Sequence, residues 1–432
     1  MDFNSKYSIF ASKLLQMHNR QQKPDLIKRS LQKHGRILVL TGARQTGKTT
    51  LARNCFPDYS YVSIEDPILR QSYTNLTAAQ WQNNFPRAIL DEIQKAPSLF
   101  ESIKAVYDQF ADPRYILLGS SQLLLLSKVR ESLAGRCQIL ELFPLTLPEM
   151  LTKSWDDEVR QSLFQQYISG EEVLSNLLPS FQMEPDYARK QQAFEFFLKF
   201  GGYPAITGEG LTPDEQYDWL HNYVRTYLER DIRDLADFRN LEPFITVQKL
   251  SAIQTGQLLN FSQMGRDAGV TSKTAQRFLQ YLEISYQALL LPPWHRNESK
   301  RLVKNPKLHY LDPGVLNAIL QKKEITSGHE FESAVIAELY KQTRTLGLSI
   351  PFYHYRTYDG REIDLLLELA DSYVAIEIKM TSHVTKTDAR NFADLGSILD
   401  KPLKKCIILS NDPEIKLFGE STIAIPAAWF LT

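Results

Sequence analysis

Residues 42 to 49 read Gly-Ala-Arg-Gln-Thr-Gly-Lys-Thr, and no other stretch of this 432-residue chain narrows its fold so far. The apolar run Arg36-Ile-Leu-Val-Leu-Thr41 precedes it and Lys48-Thr-Thr-Leu-Ala-Arg53 follows, so the loop joins a buried strand to a helix. That is the context the G-x-x-x-x-G-K-T spacing needs. Gly42 and Gly47 let the backbone turn so that the amides of Ala43, Arg44, Gln45 and Thr46 point inward at the β- and γ-phosphates of a nucleotide. Lys48 adds a point charge, Thr49 offers a hydroxyl to Mg²⁺, and the helix N-terminus, which continues through Thr50, favours the anion.

Short apolar runs follow at Tyr59–Glu65, Arg87–Asp91, Arg114–Gly119 and Cys137–Leu142, separated by helical patterns. Alternation of this kind predicts an α/β fold with a doubly wound parallel sheet, its functional groups at the carboxyl ends of the strands. Lys plus Arg and Asp plus Glu both number 50, so net charge offers no general attraction to nucleic acid or membranes, and any such surface must be local. Cys55, Cys137 and Cys406 are far apart and form no C-x-x-C pair. A disulfide framework or zinc site is therefore not expected, and a reducing cytoplasm is. No apolar run approaches the roughly 18 residues of a bilayer span, and no targeting segment is expected.

The strand Ala88-Ile-Leu ends in Asp91-Glu92. Asp91 is expected to bind the Mg²⁺ of the nucleotide through water, and Glu92 to orient and deprotonate the attacking water, because phosphoryl transfer depends on positioning and charge neutralisation. Ser120, just after the fourth strand, can contact the γ-phosphate or cap the next helix. Arg136, after Glu131-Ser-Leu-Ala-Gly135, has two readings: a finger inserted into a neighbouring subunit's site, or a cation closing a helix C-terminus. The first implies a homo-oligomer.

Phe261–Thr271 and Ser272–Tyr281 have the spacing of helix, glycine-containing turn and second helix, with Ser272 read as the cap. Lys273, Gln276 and Arg277 fall on the exposed face, where they can meet DNA phosphates or bases, while Ala275, Phe278 and Leu279 face inward. Basic residues between Trp294 and Lys304 stand where a wing belongs. Such modules also serve as spacers or protein-docking surfaces. Further on, Asp364 and the alternating run Tyr373-Val-Ala-Ile-Glu377-Ile-Lys379 suit two paired strands that bring Asp364 beside Glu377, with Lys379 on the same face. Two carboxylates with a lysine can hold a divalent metal, Mg²⁺ or Mn²⁺, and position water against a phosphodiester. The other reading is a charged, half-exposed hairpin.

The 42–49 loop, Leu-Asp-Glu-Ile-Gln at 90–94, Gly-Ser-Ser at 119–121 and Glu-Ser-Leu-Ala-Gly-Arg at 131–136 together resemble the AAA+-like ATPases of bacteria and archaea. Phe-Gly-Gly-Tyr-Pro at 200–204, Tyr-Leu-Glu-Arg-Asp at 227–231, Asn-Pro-Lys-Leu at 305–308 and Leu-Asp-Pro-Gly at 311–314 are similar to that family's C-terminal half. Ala43 stands where members often carry proline, and no second sensor arginine is evident. The resemblance implies an AAA+-like ATPase core at 1–147, a helical lid or linker at 148–240, a winged helix at 241–325 and a restriction-endonuclease-like α/β domain at 326–432. In that last fold Glu332 is a further carboxylate of the D…E-x-K metal site. It also implies adenine as the base. Thr385-Lys-Thr-Asp388 fits the T-K-x-D letters of guanine readers but lies in the wrong domain. The whole reads as an ATPase acting on DNA, with a metal-dependent nuclease at its end. The alternative is an ATP-gated switch recruiting protein or DNA, its nuclease-like domain inert.

Overall fold

A computed structural model describes residues 17–119, 125, 128–129, 131–170, 174, 186–208, 210–228, 240–297, 305–357 and 360–432. The first unit is a parallel five-stranded sheet: β1 (Ile37–Thr41), β2 (Ser60–Ser63), β3 (Arg87–Asp91), β4 (Arg114–Gly119) and β5 (Gln138–Glu141), in the order β2-β3-β4-β1-β5. Every residue of β1 is buried because both faces of the sheet are covered. Ile37 and Val39 enter one core with Trp81, Phe100 and Ile103, whereas Leu38 and Leu40 enter the other with Leu26, Leu51 and Ala52. Burying each such side chain fully contributes about 1.5–3 kcal/mol. The register sets Thr41 level with Gly119, and Leu117 of β4 with Leu90 of β3, so the phosphate loop, Asp91 and the end of β4 all emerge at one edge.

Residues 240–297 and 305–320 contribute four helices, Glu242–Ile253, Phe261–Asp267, Ser272–Ile284 and Pro313–Leu320, and an antiparallel pair of β6 (Ala288–Leu291) and β7 (Lys307–Tyr310). Thr271, not Ser272, caps the third helix, accepting from the Thr274 amide through its side chain. Gly265 lets the second and third helices cross closely, since a Cβ there would meet the Val270 carbonyl at 2.9 Å. The third unit is a mixed six-stranded sheet in the order β12-β13-β11-β10-β9-β8, made of β8 (Phe352–Arg356), β9 (Glu362–Glu368), β10 (Tyr373–Lys379), β11 (Leu403–Ser410), β12 (Lys416–Phe418) and β13 (Thr422–Pro426). Its central strand β10 is buried on both faces, with Val374, Ile376 and Ile378 in one core and Tyr373 and Ala375 in another. The alternative reading of a charged, half-exposed hairpin does not hold for β10, which is covered on its second side as well.

The Gly328–Thr345 helix is buried nearly all round because it lies between this sheet and the first unit. Phe331, Val335 and Leu339 face the sheet's core. Glu338 and Lys341, both wholly buried and paired at 2.8 Å, turn the other way: Glu338 accepts from the Leu147 amide and Lys341 donates to the Leu145 carbonyl. The Tyr187–Phe200 helix, within the 148–240 stretch, packs its Phe194 and Phe197 into the same core, Phe194 against Phe331. No described helix is long and apolar enough to cross a membrane.

Candidate functional site

At the carboxyl edge of the parallel sheet lies a cleft of about 500 Å³, floored by residues 44–51 and flanked by Asp91 and Glu92. Gly42 (φ +149°) and Gly47 (φ +90°) hold backbone conformations that side-chain-bearing residues rarely adopt. A Cβ at Gly42 would also meet the Leu142 carbonyl at 2.1 Å. Gln45 takes a positive φ as well, while Thr46 is buried, its hydroxyl donating to the Ala43 carbonyl at 2.9 Å. Lys48 is buried, and its ammonium donates to the carbonyls of Gly42 (2.9 Å) and Ala43 (2.7 Å), so its charge is anchored within the loop. The Thr49 hydroxyl donates to Asp91 Oδ2 at 2.8 Å, which brings the first turn of the Lys48–Cys55 helix onto the end of β3. Thr50 lines the same cleft. A hydroxyl paired with a carboxylate beside the phosphate-loop turn is a donor set suited to Mg²⁺ and triphosphate.

Two further side chains beside this cleft have roles the linear pattern did not assign. Tyr61 on β2 donates to the same Oδ2 of Asp91 at 2.8 Å. Burial and that carboxylate hold its phenol well above the usual range. Gln94 donates through Nε2 to Glu92 Oε2 at 2.7 Å, and its Oε1 is buried with no hydrogen-bond partner among the described residues. Glu92 itself sits at φ +56°, a left-handed conformation strained for a glutamate, which aims its carboxylate off the strand end. The leading segment closes the far wall: Met17 and His18 face Trp155, and the buried Arg20 pairs with Glu149 at 3.2 Å. Burial lowers the Arg20 pKa.

The cleft is roofed by Pro204 and Ala205, which follow Gly201-Gly202. Gly202 accepts from the Leu145 amide (2.7 Å) and donates to Asp312 Oδ2 (2.8 Å), and a Cβ on Gly201 would strike Asp312 Oδ1 at 1.9 Å. Asp312 Oδ1 accepts from Val315, capping the Pro313–Leu320 helix. Gly314 in that helix leaves room for the Phe200 carbonyl, 2.0 Å from where a Cβ would stand. Tyr203 and Tyr223 share a hydrogen bond at 2.9 Å, and Tyr223 reaches the Arg44 carbonyl at 3.4 Å. The runs at 200–204 and 311–314 are thereby two halves of one joint set against the phosphate loop.

Arg136 lies at the opposite edge of the sheet, before β5. It makes a two-toothed ion pair with Asp108, Nε to Oδ1 at 2.8 Å and Nη2 to Oδ2 at 3.1 Å, while Nη1 reaches the Ala134 carbonyl. It contributes nothing to its own chain's cleft. Ser120 lies outside the described residues, as does most of the 227–231 run. Lys273, Gln276 and Arg277 are all exposed on the Ser272–Ile284 helix, over a buried row of Ala275, Phe278, Leu279 and Leu282. Thr385 and Asp388 form a capping box in the third unit, remote from the phosphate loop.

In that third unit, Asp364 on β9 and Glu377 on β10 do come together, and Asp364 accepts from the Ile378 amide at 2.8 Å. Glu332, Asp364, Glu377 and Lys379 line one pocket of about 370 Å³. Burial, then the charges of Glu332 and Glu377, hold the Asp364 carboxyl well above the ordinary carboxylate range, and burial raises Glu377. Lys379 donates to Glu377 Oε1 at 2.6 Å. Burial opposes its charge, but the Glu377 carboxylate prevails and its pKa is raised. A residue not foreseen enters from β7: Lys307, 3% exposed, puts its ammonium 2.8 Å from Glu332 Oε1, against Glu362 Oε1 and 4.0 Å from Asp364 Oδ1. Among the described residues no three His, Cys, Asp or Glu side chains are arranged to hold a metal ion. The expected preformed metal shell of Glu332, Asp364 and Glu377 is not present, because lysine ammonium groups lie against these carboxylates. The donor chemistry still suits a hard cation. Four carboxyls face two ammonium groups inside the pocket, with Arg356 and His329 only at its solvent side, and Glu377 Oε2 is buried without a partner among the described residues.

Residues 34–151 match a family model described as an AAA domain. Residues 191–326 and 327–430 match two domains of unknown function, DUF8612 and DUF4143. An uncharacterized protein of Mycobacterium tuberculosis is 25% identical over 409 residues, covering 92% of this chain and 81% of its own. Another, of Methanocaldococcus jannaschii, is 22% identical over 350 residues, covering 77% and 72%. Among solved structures, the Walker-type ATPase of Pyrococcus abyssi aligns with 70% of this chain and 96% of its own, at 13% identity and a TM-score of 0.44. With the loop, the parallel sheet and the Thr49–Asp91 contact in place, residues 34–151 form a P-loop ATPase module similar to the AAA domain model.

Proposed function

We propose that the chain binds and hydrolyses ATP with Mg²⁺ in the cleft at residues 42–51, and that the nucleotide cycle drives DNA contact through the 241–325 unit, read as a winged helix. The observation that carries the ATP reading is the Thr49–Asp91 hydrogen bond of 2.8 Å beside Glu92. Thr49 and Asp91 would hold the ion, which neutralises phosphate charge when bound. Lys48 and the loop amides hold the phosphates, and Glu92, steered by Gln94, takes the proton of the attacking water. The Gly201–Ala205 segment, tied to Asp312, is the physical path from the cleft to the helical unit. Lys273, Gln276 and Arg277 supply the DNA-facing surface, and the carboxylate pocket of the third unit is a divalent-cation site for phosphodiester hydrolysis. The buried Glu377 Oε2, without a hydrogen-bond partner among the described residues, supports that reading; the lysines against its carboxylates favour the second one, an inert pocket in an ATP-gated switch.

Steady-state ATPase measurements with and without DNA test the proposal. Turnover is expected to rise with DNA, to vanish in Glu92→Gln with nucleotide binding retained, and to lose its DNA response in the Lys273→Ala/Arg277→Ala double variant. A DNA-independent rate in wild type sinks the coupling, and absent turnover sinks the hydrolysis. Calorimetry with ATP and GTP decides the base.

A further inference from the structure

We propose that Lys307 is the resident cation of the carboxylate pocket, and that a divalent metal enters only when that ammonium leaves the carboxylates. The inference rests on reading the pocket as a divalent-cation site and concerns how access to it is controlled. Lys307 does not belong to the unit whose carboxylates it meets. It is the first residue of β7, paired with Leu291 of β6, and it reaches across to Glu332 on the Gly328–Thr345 helix and to Glu362 and Asp364 on β9. Three carboxyls from two elements converge on one ammonium that solvent hardly touches. The ammonium is ion-paired with Glu332 at 2.8 Å and with Glu362, so these carboxylates already have a counter-cation.

A hard divalent ion would use those same oxygens at about 2.0–2.6 Å. It cannot share them with an ammonium at hydrogen-bond distance, because two cations would then sit in contact in a poorly solvated pocket. Occupation by lysine and by metal is therefore mutually exclusive. A second observation points to the ion. Lys379 and Asn391 both donate to Glu377 Oε1, at 2.6 and 2.9 Å, leaving Oε2 buried, lining the pocket and without a hydrogen-bond partner among the described residues. The pocket thus keeps unused acceptor capacity next to a cation that is tethered to another unit. Moving the ammonium out removes one positive charge from the pocket and frees oxygens of three carboxyls.

The test is Mn²⁺ binding to the full chain without nucleotide, read by the electron paramagnetic resonance of free Mn²⁺, in a Thr49→Ala background that silences the phosphate-loop site. Lys307→Gln and Lys307→Met are expected to bind Mn²⁺ at least about 10-fold more tightly than the parent, because they remove a competing unit charge beside the ion. Lys307→Arg keeps the charge and is expected to match the parent; adding Glu377→Gln to Lys307→Gln is expected to reverse the gain. Thermal melts establish that each variant is folded, and Gln, which can still donate to Glu332, serves if Met does not fold. If the parent already binds Mn²⁺ as tightly as the variants, the metal reading stands and the role of Lys307 falls. If folded variants and parent alike bind none, the metal reading falls and takes this proposal with it.

Discussion

Replacing Asp312 by alanine isolates the joint between the nucleotide cleft and the helical unit. Its two carboxylate oxygens serve different elements: Oδ2 takes the Gly202 amide at 2.8 Å and Oδ1 takes the Val315 amide at 3.1 Å. Asp312 is 4% exposed, so neither amide gains water when the side chain is cut back. Loss of a helix N-cap costs about 0.5–2 kcal/mol, and a buried donor left unsatisfied costs about 1–3 kcal/mol. Alanine is therefore expected to destabilise the protein by about 1.5–5 kcal/mol, the range these two contributions span together. Asparagine offers one carbonyl oxygen and sets an NH₂ group against one of the amides, so it should lie between. Because Gly202 leads into Tyr203 and Pro204 at the cleft, the alanine variant should also bind a fluorescent ATP analogue more weakly. Urea unfolding gives the first quantity and fluorescence titration the second. An alanine variant within about 0.5 kcal/mol of wild type, the range of an ordinary surface substitution, would refute the assignment of Asp312 as the joint. Normal nucleotide affinity in a clearly destabilised variant would refute its link to the cleft.

Tyr61→Phe removes one of two donors to Asp91 Oδ2, and about a 10-fold loss in the Mg²⁺ dependence of turnover is expected, as for other outer contacts of metal ligands; an unchanged Mg²⁺ titration would deny Tyr61 that role. Arg136→Ala should leave ATP binding intact and abolish hydrolysis if the arginine serves a neighbouring subunit, whereas Asp108→Ala, which removes only its partner here, should spare turnover. Equal turnover in Arg136→Ala and wild type rejects the finger. Asp364 has its carboxyl raised by burial and by Glu332 and Glu377, so the folded state holds this proton more tightly than the unfolded chain. Its contribution to stability is present below the unfolded carboxyl pKa and is lost as pH rises through the folded one. Asp364→Asn, measured by thermal melts in chelator, should melt above wild type at neutral pH, with the gap closing in acid; a lower melting temperature at neutral pH would contradict this.

The amino-acid sequence by itself determines what a short stretch of chain can decide alone. The phosphate loop is eight consecutive residues whose glycines, lysine and threonine act on one another and on the ligand through local backbone geometry, so spacing in sequence is spacing in space. Asp91-Glu92 at the end of an apolar strand is legible for the same reason. The inward row Ala275, Phe278 and Leu279 on the third helix of the middle unit follows from helical period alone. Tertiary structure decides the rest. Tyr61, Gln94 and Asp312 acquire roles only because β2, the turn after β3 and a helix start more than 200 residues away in sequence meet at one edge. Both faces of β10 are buried because a helix and two short turns cover a sheet that alternation describes as half-exposed. In the linear sequence Lys307 is only one letter of Asn-Pro-Lys-Leu. Long-range packing alone places its charge among Glu332, Glu362 and Asp364, where desolvation makes one ammonium decide what else the pocket can hold.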